Sequence, residues 1–239
     1  MTNLSTSLLV EKIGRFDYPI WLLGDSPSAK YLKFKASDPD HLTPLDSRHP
    51  SRHTIWTPIL DVIQRHLFRL GCRLDDNELF IRNAVSHPDH KLNNPKASKE
   101  QIDKFEDNQK KEITELRELL IEHKPFLVLC FGQFAYPFAL RTQQDEIKLL
   151  PQDEWTNWSI PRLSEEFDNR IKEVQLGKVT MLPLLHASAA RGFKSATTHF
   201  SGKLSNQRPN YFEYVGEQIA KKLIANHRDQ RLDKFMLRG

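Results

Sequence analysis

Four short apolar runs punctuate this chain, Tyr18–Gly24, Leu79–Val85, Phe126–Phe131 and Val179–Leu185, and only the second carries a charge, Arg82, which Asn83 follows. Runs of this length, closed by glycine or a polar loop, predict strands buried on both faces. Between them the apolar spacing changes from continuous to helical. Ile55, Ile59, Leu60, Ile63, Leu67 and Leu70 predict a helix that Gly71 stops, and Ile113, Leu116, Leu119 and Leu120 mark the buried stripe of a long helix over Gln101–His123. The dense charge run before that stripe reads as a solvated face. A last helix is expected over Asn210–Asn226.

Three polar stretches complete the pattern. Ser26–Pro50 reads as a long loop, unusual in carrying Tyr31 and Phe34, and long ordered loops tend to be functional. Ser86–Lys99 reads as a second loop. Residues 145–178, charged and containing Trp155 and Trp158, read as an insertion or surface subdomain. Alternating strands and helices predict an α/β protein: a three-layer α/β/α sandwich around a central, mostly parallel, four-stranded sheet. With 239 residues, one domain spanning the chain is expected.

Composition narrows the class without naming a function. A hydrophobic content of 38% beside 28% charged residues is globular, and the longest apolar run is too short to cross a bilayer. The first residues, MTNLSTSLLVEK, lack the basic flank and long apolar core of a signal peptide, so a cytoplasmic location is expected. Cys72 and Cys130 are too few to form a four-ligand zinc or iron–sulfur site; free thiols are expected, with no metal and no cofactor. A monomer is the expected state. The net charge of +4 leans weakly towards a polyanionic partner. Its distribution says more, because residues 187–208 contain Arg191, Lys194, Lys203 and Arg208 and no acid.

The candidate chemistry lies where strands end. Asp25 follows the first strand, Asn83 lies near the end of the second, and His186 follows the last; ligands of open α/β sheets bind at the carboxyl ends of strands. Read together, the three residues form one candidate site on one edge of the sheet.

The ordered motifs His186-Ala-Ser188, Arg191-Gly-Phe193 and His199-Phe-Ser201, together with Arg82-Asn83-Ala-Val85, the helix-entry pattern Pro50-Ser51 with Ile55-Trp56 and the strand Phe126–Phe131 with Gly132, resemble the uracil-DNA glycosylase superfamily. The resemblance covers about residues 18–135 and 179–224. It implies a monofunctional DNA N-glycosylase that flips a pyrimidine out of DNA and hydrolyses its glycosidic bond. Asn83 would read the pyrimidine edge with its amide, and Tyr31 or Phe34 would stack on the base. His186 would stabilise the departing base anion, and Asp25 the oxocarbenium-like sugar and attacking water. Ser26, Ser188, Arg191, Gly192, Phe193, Lys194, His199 and Ser201 would grip the DNA.

The pattern also departs from the family. One branch reads G-Q-D-P, aligning its acid with Ser26; another reads G-E-x-P, aligning its acid with Asp25 but carrying cluster-binding cysteines that this chain lacks. The segment after His186 is short and alanine-rich, which suggests a roomier pocket and a bulky modified pyrimidine, such as a hypermodified phage cytosine excised in antiviral defence. Alternatives are ordinary uracil or damaged-base repair and an inactive DNA-binding member. A Ser/His/Asp hydrolase using Ser26 and His186 is a further alternative, disfavoured because no G-x-S-x-G elbow is present.

Overall fold

The computed structural model describes residues 11–38, 40–42, 46, 49, 57–69, 71–75, 78–91, 96–175, 177–186, 189–190, 199–200, 211–226 and 236–238. In chain order the elements are β1 (Lys12–Ile13), β2 (Ile20–Gly24), α1 (Ala29–Ser37), α2 (Thr57–Phe68), β3 (Cys72–Leu74) and β4 (Phe80–Asn83). A 3₁₀ turn (Pro88–Lys91) precedes α3 (Lys99–His123), β5 (Leu127–Phe131), α4 (Ala135–Arg141), α5 (Gln152–Thr156) and α6 (Ile160–Glu173). β6 (Thr180–Leu184), α7 (Tyr211–Ala225) and β7 (Met236–Arg238) follow.

The main sheet has the order β1-β4-β2-β5-β6. Its four parallel members are the four apolar runs, and β2, β5 and β6 are buried at every position because helices cover both faces. The fold is therefore the expected α/β sandwich. The strand count differs: two-residue β1 adds a fifth, antiparallel strand beside β4, too short to leave a periodic signal. β3 and β7 form a separate antiparallel ribbon.

Local chemistry accounts for the elements. Ala84 and Val85, expected in the second strand, instead turn their N–H groups onto the Gly24 and Asp25 carbonyls. Pro183 is tolerated within β6 because β6 is an edge strand. The Thr180 N–H bonds to Phe126 and the Leu184 carbonyl to Gly132, so the even-numbered residues face β5 and the proline nitrogen faces away. Helices α2 and α7 pack closely: a Cβ on Gly216 would come within 2.5 Å of Val62 Cγ1. Cys130, fully buried in β5, has its thiol pushed up by burial and so disfavours the reactive thiolate.

Three sequence expectations need correction. Ser26–Pro50 is not loop throughout, since Ser28 caps α1 by accepting the Tyr31 N–H. The charged face of α3 is not wholly solvated either: Gln109 and Glu112 are buried with Ile113, Leu116 and Leu120. Residues 145–178 contribute to the core, because α6 lays Leu163, Phe167 and Ile171 into the interior and packs on β6. Trp158 is buried edge-on against Tyr136 with the Arg162 guanidinium 4.0 Å from its ring centre, and Trp155 packs edge-on against Phe134.

Candidate functional site

The strand order fixes where a ligand site belongs. From β2 the chain crosses to β4 on one side, then returns across the sheet to β5 on the other. This reversal makes the carboxyl ends of β2 and β5 a topological switch point, where outgoing connections part and leave a crevice. Asp25 follows β2 directly, and Gly132 follows β5.

Each candidate side chain is held from its backbone. The Asp25 carbonyl accepts the N–H groups of Ala84 at 3.1 Å and Val85 at 3.3 Å, tying the end of β2 to that of β4. Asn83 is the register partner of Gly24, so the amide expected to read a base closes β4 beside Asp25. The buried Tyr211 hydroxyl accepts the Leu185 N–H at 2.8 Å, and the His186 carbonyl accepts from Ala189 and Ala190. His186 is thus gripped on both sides. Gly132, with φ of +110°, turns the chain beneath it; a Cβ there would lie 3.7 Å from that of His186.

A residue absent from the sequence reading completes the cluster. Lys91, at the end of the 3₁₀ turn, places Nζ 2.9 Å from Asp25 Oδ1, and its ammonium lies 5.5 Å from the ring centre of Phe134. The lysine side chain retains 15% exposure and the aspartate 28%, so the pair is sheltered but open to a ligand. The turn is pinned from within the protein. Glu112 Oε1 accepts from the Ser86 N–H at 2.8 Å, the Ser86 hydroxyl at 2.6 Å and His90 Nδ1 at 2.9 Å. The Gln109 amide donates to the His90 carbonyl at 2.7 Å. The signal that could have revealed this is the pair of polar residues inside the apolar stripe of α3.

Asp25, Lys91 and His186 also sense each other's charge. Burial lowers the His186 pKa below its ordinary value of 6.5, Asp25 raises it and Lys91 lowers it again; the net shift is downward. The imidazole is therefore neutral near pH 7, with one ring nitrogen donating and the other accepting. Followed by NMR, the His186 titration should lie below 6.5. It should rise in Lys91→Gln, which removes a repelling cation, and fall further in Asp25→Asn, which removes an attracting anion.

The aromatic candidates lie on α1. Tyr31 is buried and donates its hydroxyl to Glu11, whereas Phe34 is exposed; both rings contact His41, at 5.9 and 5.4 Å. Ser26 lies half-buried between Asp25 and the capping Ser28. Of the expected DNA-gripping residues, Ser188, Arg191, Gly192, Phe193, Lys194 and Ser201 lie outside the described residues. His199 is exposed, its carbonyl accepting from Ser164 of α6, while the adjoining Phe200 is buried between Phe167 and Tyr211. Among the described residues, no group of three or more His, Cys, Asp or Glu side chains is gathered to hold a metal ion.

No family model matches the chain, and no curated protein matches it. The class that fold and site define is thus an open α/β protein with a carboxylate, an amine and a neutral imidazole gathered at its switch point.

Proposed function

We propose that this protein is a DNA glycosylase that flips a modified pyrimidine from the duplex and hydrolyses its N-glycosidic bond, leaving an abasic site. One observation carries the reading: Asp25 and His186, far apart in sequence, meet electrostatically at the switch point, the histidine held neutral. Breaking a C1′–N bond needs negative charge near the sugar and a hydrogen-bond donor near the base. Asp25 supplies the first and orients water towards C1′, while a neutral His186 N–H supplies the second at a base oxygen. Water adds to C1′, its proton passes to Asp25 or to solvent, and the base departs as an anion that is then protonated.

The remaining roles follow from the resemblance to uracil-DNA glycosylases. Asn83 reads the pyrimidine edge, and exposed Phe34 is better placed than Tyr31, whose hydroxyl is engaged, to offer a ring face. Ser188, Lys194 and Ser201, with backbone amides around Gly192, grip the phosphates around the flipped nucleotide, Arg191 or Phe193 plugs the position the base vacates, and Ser26 and His199 complete the contact with DNA. Small residues after His186 support a bulky base, such as a hypermodified phage cytosine. The protein acts as a cytoplasmic monomer in this scheme. Among the described residues no helix is long and apolar enough to cross a membrane.

The test is a panel of DNAs carrying uracil, mismatches or natural phage cytosine modifications, with released bases identified by mass spectrometry. A free modified cytosine and alkali-sensitive abasic sites are expected. Release of uracil alone would return the protein to ordinary repair, and DNA binding without abasic sites from any substrate would defeat the enzymatic reading.

A further inference from the structure

A purely hydrolytic scheme leaves Lys91 without a task and even opposes it. An ammonium 2.9 Å from Asp25 offsets part of the negative charge that should face the sugar. The placement is nonetheless well enforced. The turn bearing Lys91 hangs on the three bonds to Glu112 Oε1 and on the bond from Gln109 to the His90 carbonyl, and the ammonium lies over the face of Phe134. The carboxylate holds the lysine as an ammonium in the free protein, but a sheltered primary amine with a base 2.9 Å away has the parts of an imine-forming site: once a sugar enters between them, the same carboxylate can accept the proton that must leave before the nitrogen attacks.

We propose that Lys91 forms a Schiff base with the aldehyde of an abasic deoxyribose and, with Asp25, cleaves the DNA strand by β-elimination. The proposal rests on the glycosylase reading and adds a second activity at the same site. Lys91 loses one proton to Asp25 or to water, and its nitrogen attacks C1′ of the ring-opened sugar. The carbinolamine hydroxyl takes that proton back, from Asp25 or from water, and leaves as water, which gives a protonated imine and leaves Asp25 a carboxylate again. Asp25, at the amine, removes a proton from C2′; the electron pair forms the C2′–C3′ double bond and the C3′–O bond breaks, expelling the 3′ phosphate. Water then hydrolyses the imine, returning Lys91 as the amine and releasing the unsaturated aldehyde. No oxidant or reductant is required, and the substrate class is an aldehyde sugar flanked by phosphates.

The decisive experiment starts from DNA whose abasic site has already been made, so it does not depend on base release by this protein. The full chain is incubated with that DNA and sodium borohydride, which reduces an imine to a stable amine, and the adduct is mapped by peptide mass spectrometry. An adduct on Lys91 is expected, falling to background in Lys91→Gln and in Lys91→Arg, with Asp25→Asn slowing strand cleavage. Absence of an adduct, or an adduct on another amine that persists in both Lys91 variants, would overturn the proposal. Mapping on the unaltered protein keeps the answer independent of whether any variant folds. Trapping without base release on the panel would sink the glycosylase reading alone; base release without trapping would sink only this one.

Discussion

Asp25→Asn and His186→Ala are each expected to lower the rate of base release by about 10²–10³-fold while leaving the fold intact, measured by single-turnover excision on whichever substrate the panel identifies. The reasoning is local. What Asp25 gives the fold is chiefly its carbonyl, which accepts from Ala84 and Val85 and survives the substitution. Its side chain pairs with Lys91, and Asp25→Asn keeps an oxygen for the ammonium. His186 is likewise fixed through its carbonyl and the neighbouring Leu185 N–H. Neither substitution touches these backbone bonds, so the main-chain scaffold of the site is expected to persist in both variants. If the two act on one transition state, the double variant should lose less than the product of the single losses. Simple multiplication would mean that they serve separate steps, and unchanged rates in both single variants would remove Asp25 and His186 from the chemistry.

The parts of the fold that could be read in the sequence are those whose cause is local. Phe126–Phe131 announces a buried strand because a strand covered on both faces needs no polar alternation, and β5 indeed occupies Leu127–Phe131. The elements that escaped depend on distant partners. β1 exists because Lys12 and Ile13 find Arg82 and Ile81, and the β3–β7 ribbon joins Cys72 to Arg238. Helix α1 had a local cause, the Ser28 cap, hidden in a stretch whose prolines and polar residues suggested loop.

The site divides in the same way. Asp25, Asn83 and His186 were legible because each terminates a strand, and parallel strands bring their ends to one edge. Lys91 was not, because nothing in Pro88-Asp-His-Lys91 reveals that a glutamate on α3 will hold the turn against Asp25. Glu112 itself looked like one more charge on a solvated helix, whereas one of its carboxylate oxygens, Oε1, accepts from three buried donors.

That buried carboxylate leads to the largest expected effect on stability. Glu112→Ala strands the Ser86 N–H, leaves the Ser86 hydroxyl and His90 Nδ1 only each other at 3.5 Å, and deprives the buried Arg82 guanidinium of one of its two neighbouring carboxylates. Arg82 can ill spare it: burial already lowers its pKa from 12.5 to about 10 against the pull of Glu115 and Glu112. Removing one partner of a buried charged cluster costs about 3–5 kcal/mol, a large share of the roughly 5–15 kcal/mol that holds a domain together. For a chain of this size each kcal/mol moves the midpoint by about 2–4 °C, so a fall of roughly 10 °C in thermal melting is expected. Glu112→Gln should fall between, since an amide oxygen can accept from Ser86 while the charge facing Arg82 is lost. The same variant reports on the site. If Glu112 is what holds Lys91 against Asp25, the His186 titration in folded Glu112→Gln should move upward towards that of Lys91→Gln, as the ammonium drifts from the imidazole. A melting point lowered with the titration unmoved would show a network that stabilises the core without aiming the lysine, leaving the Gln109 bond to His90 as the anchor of the turn.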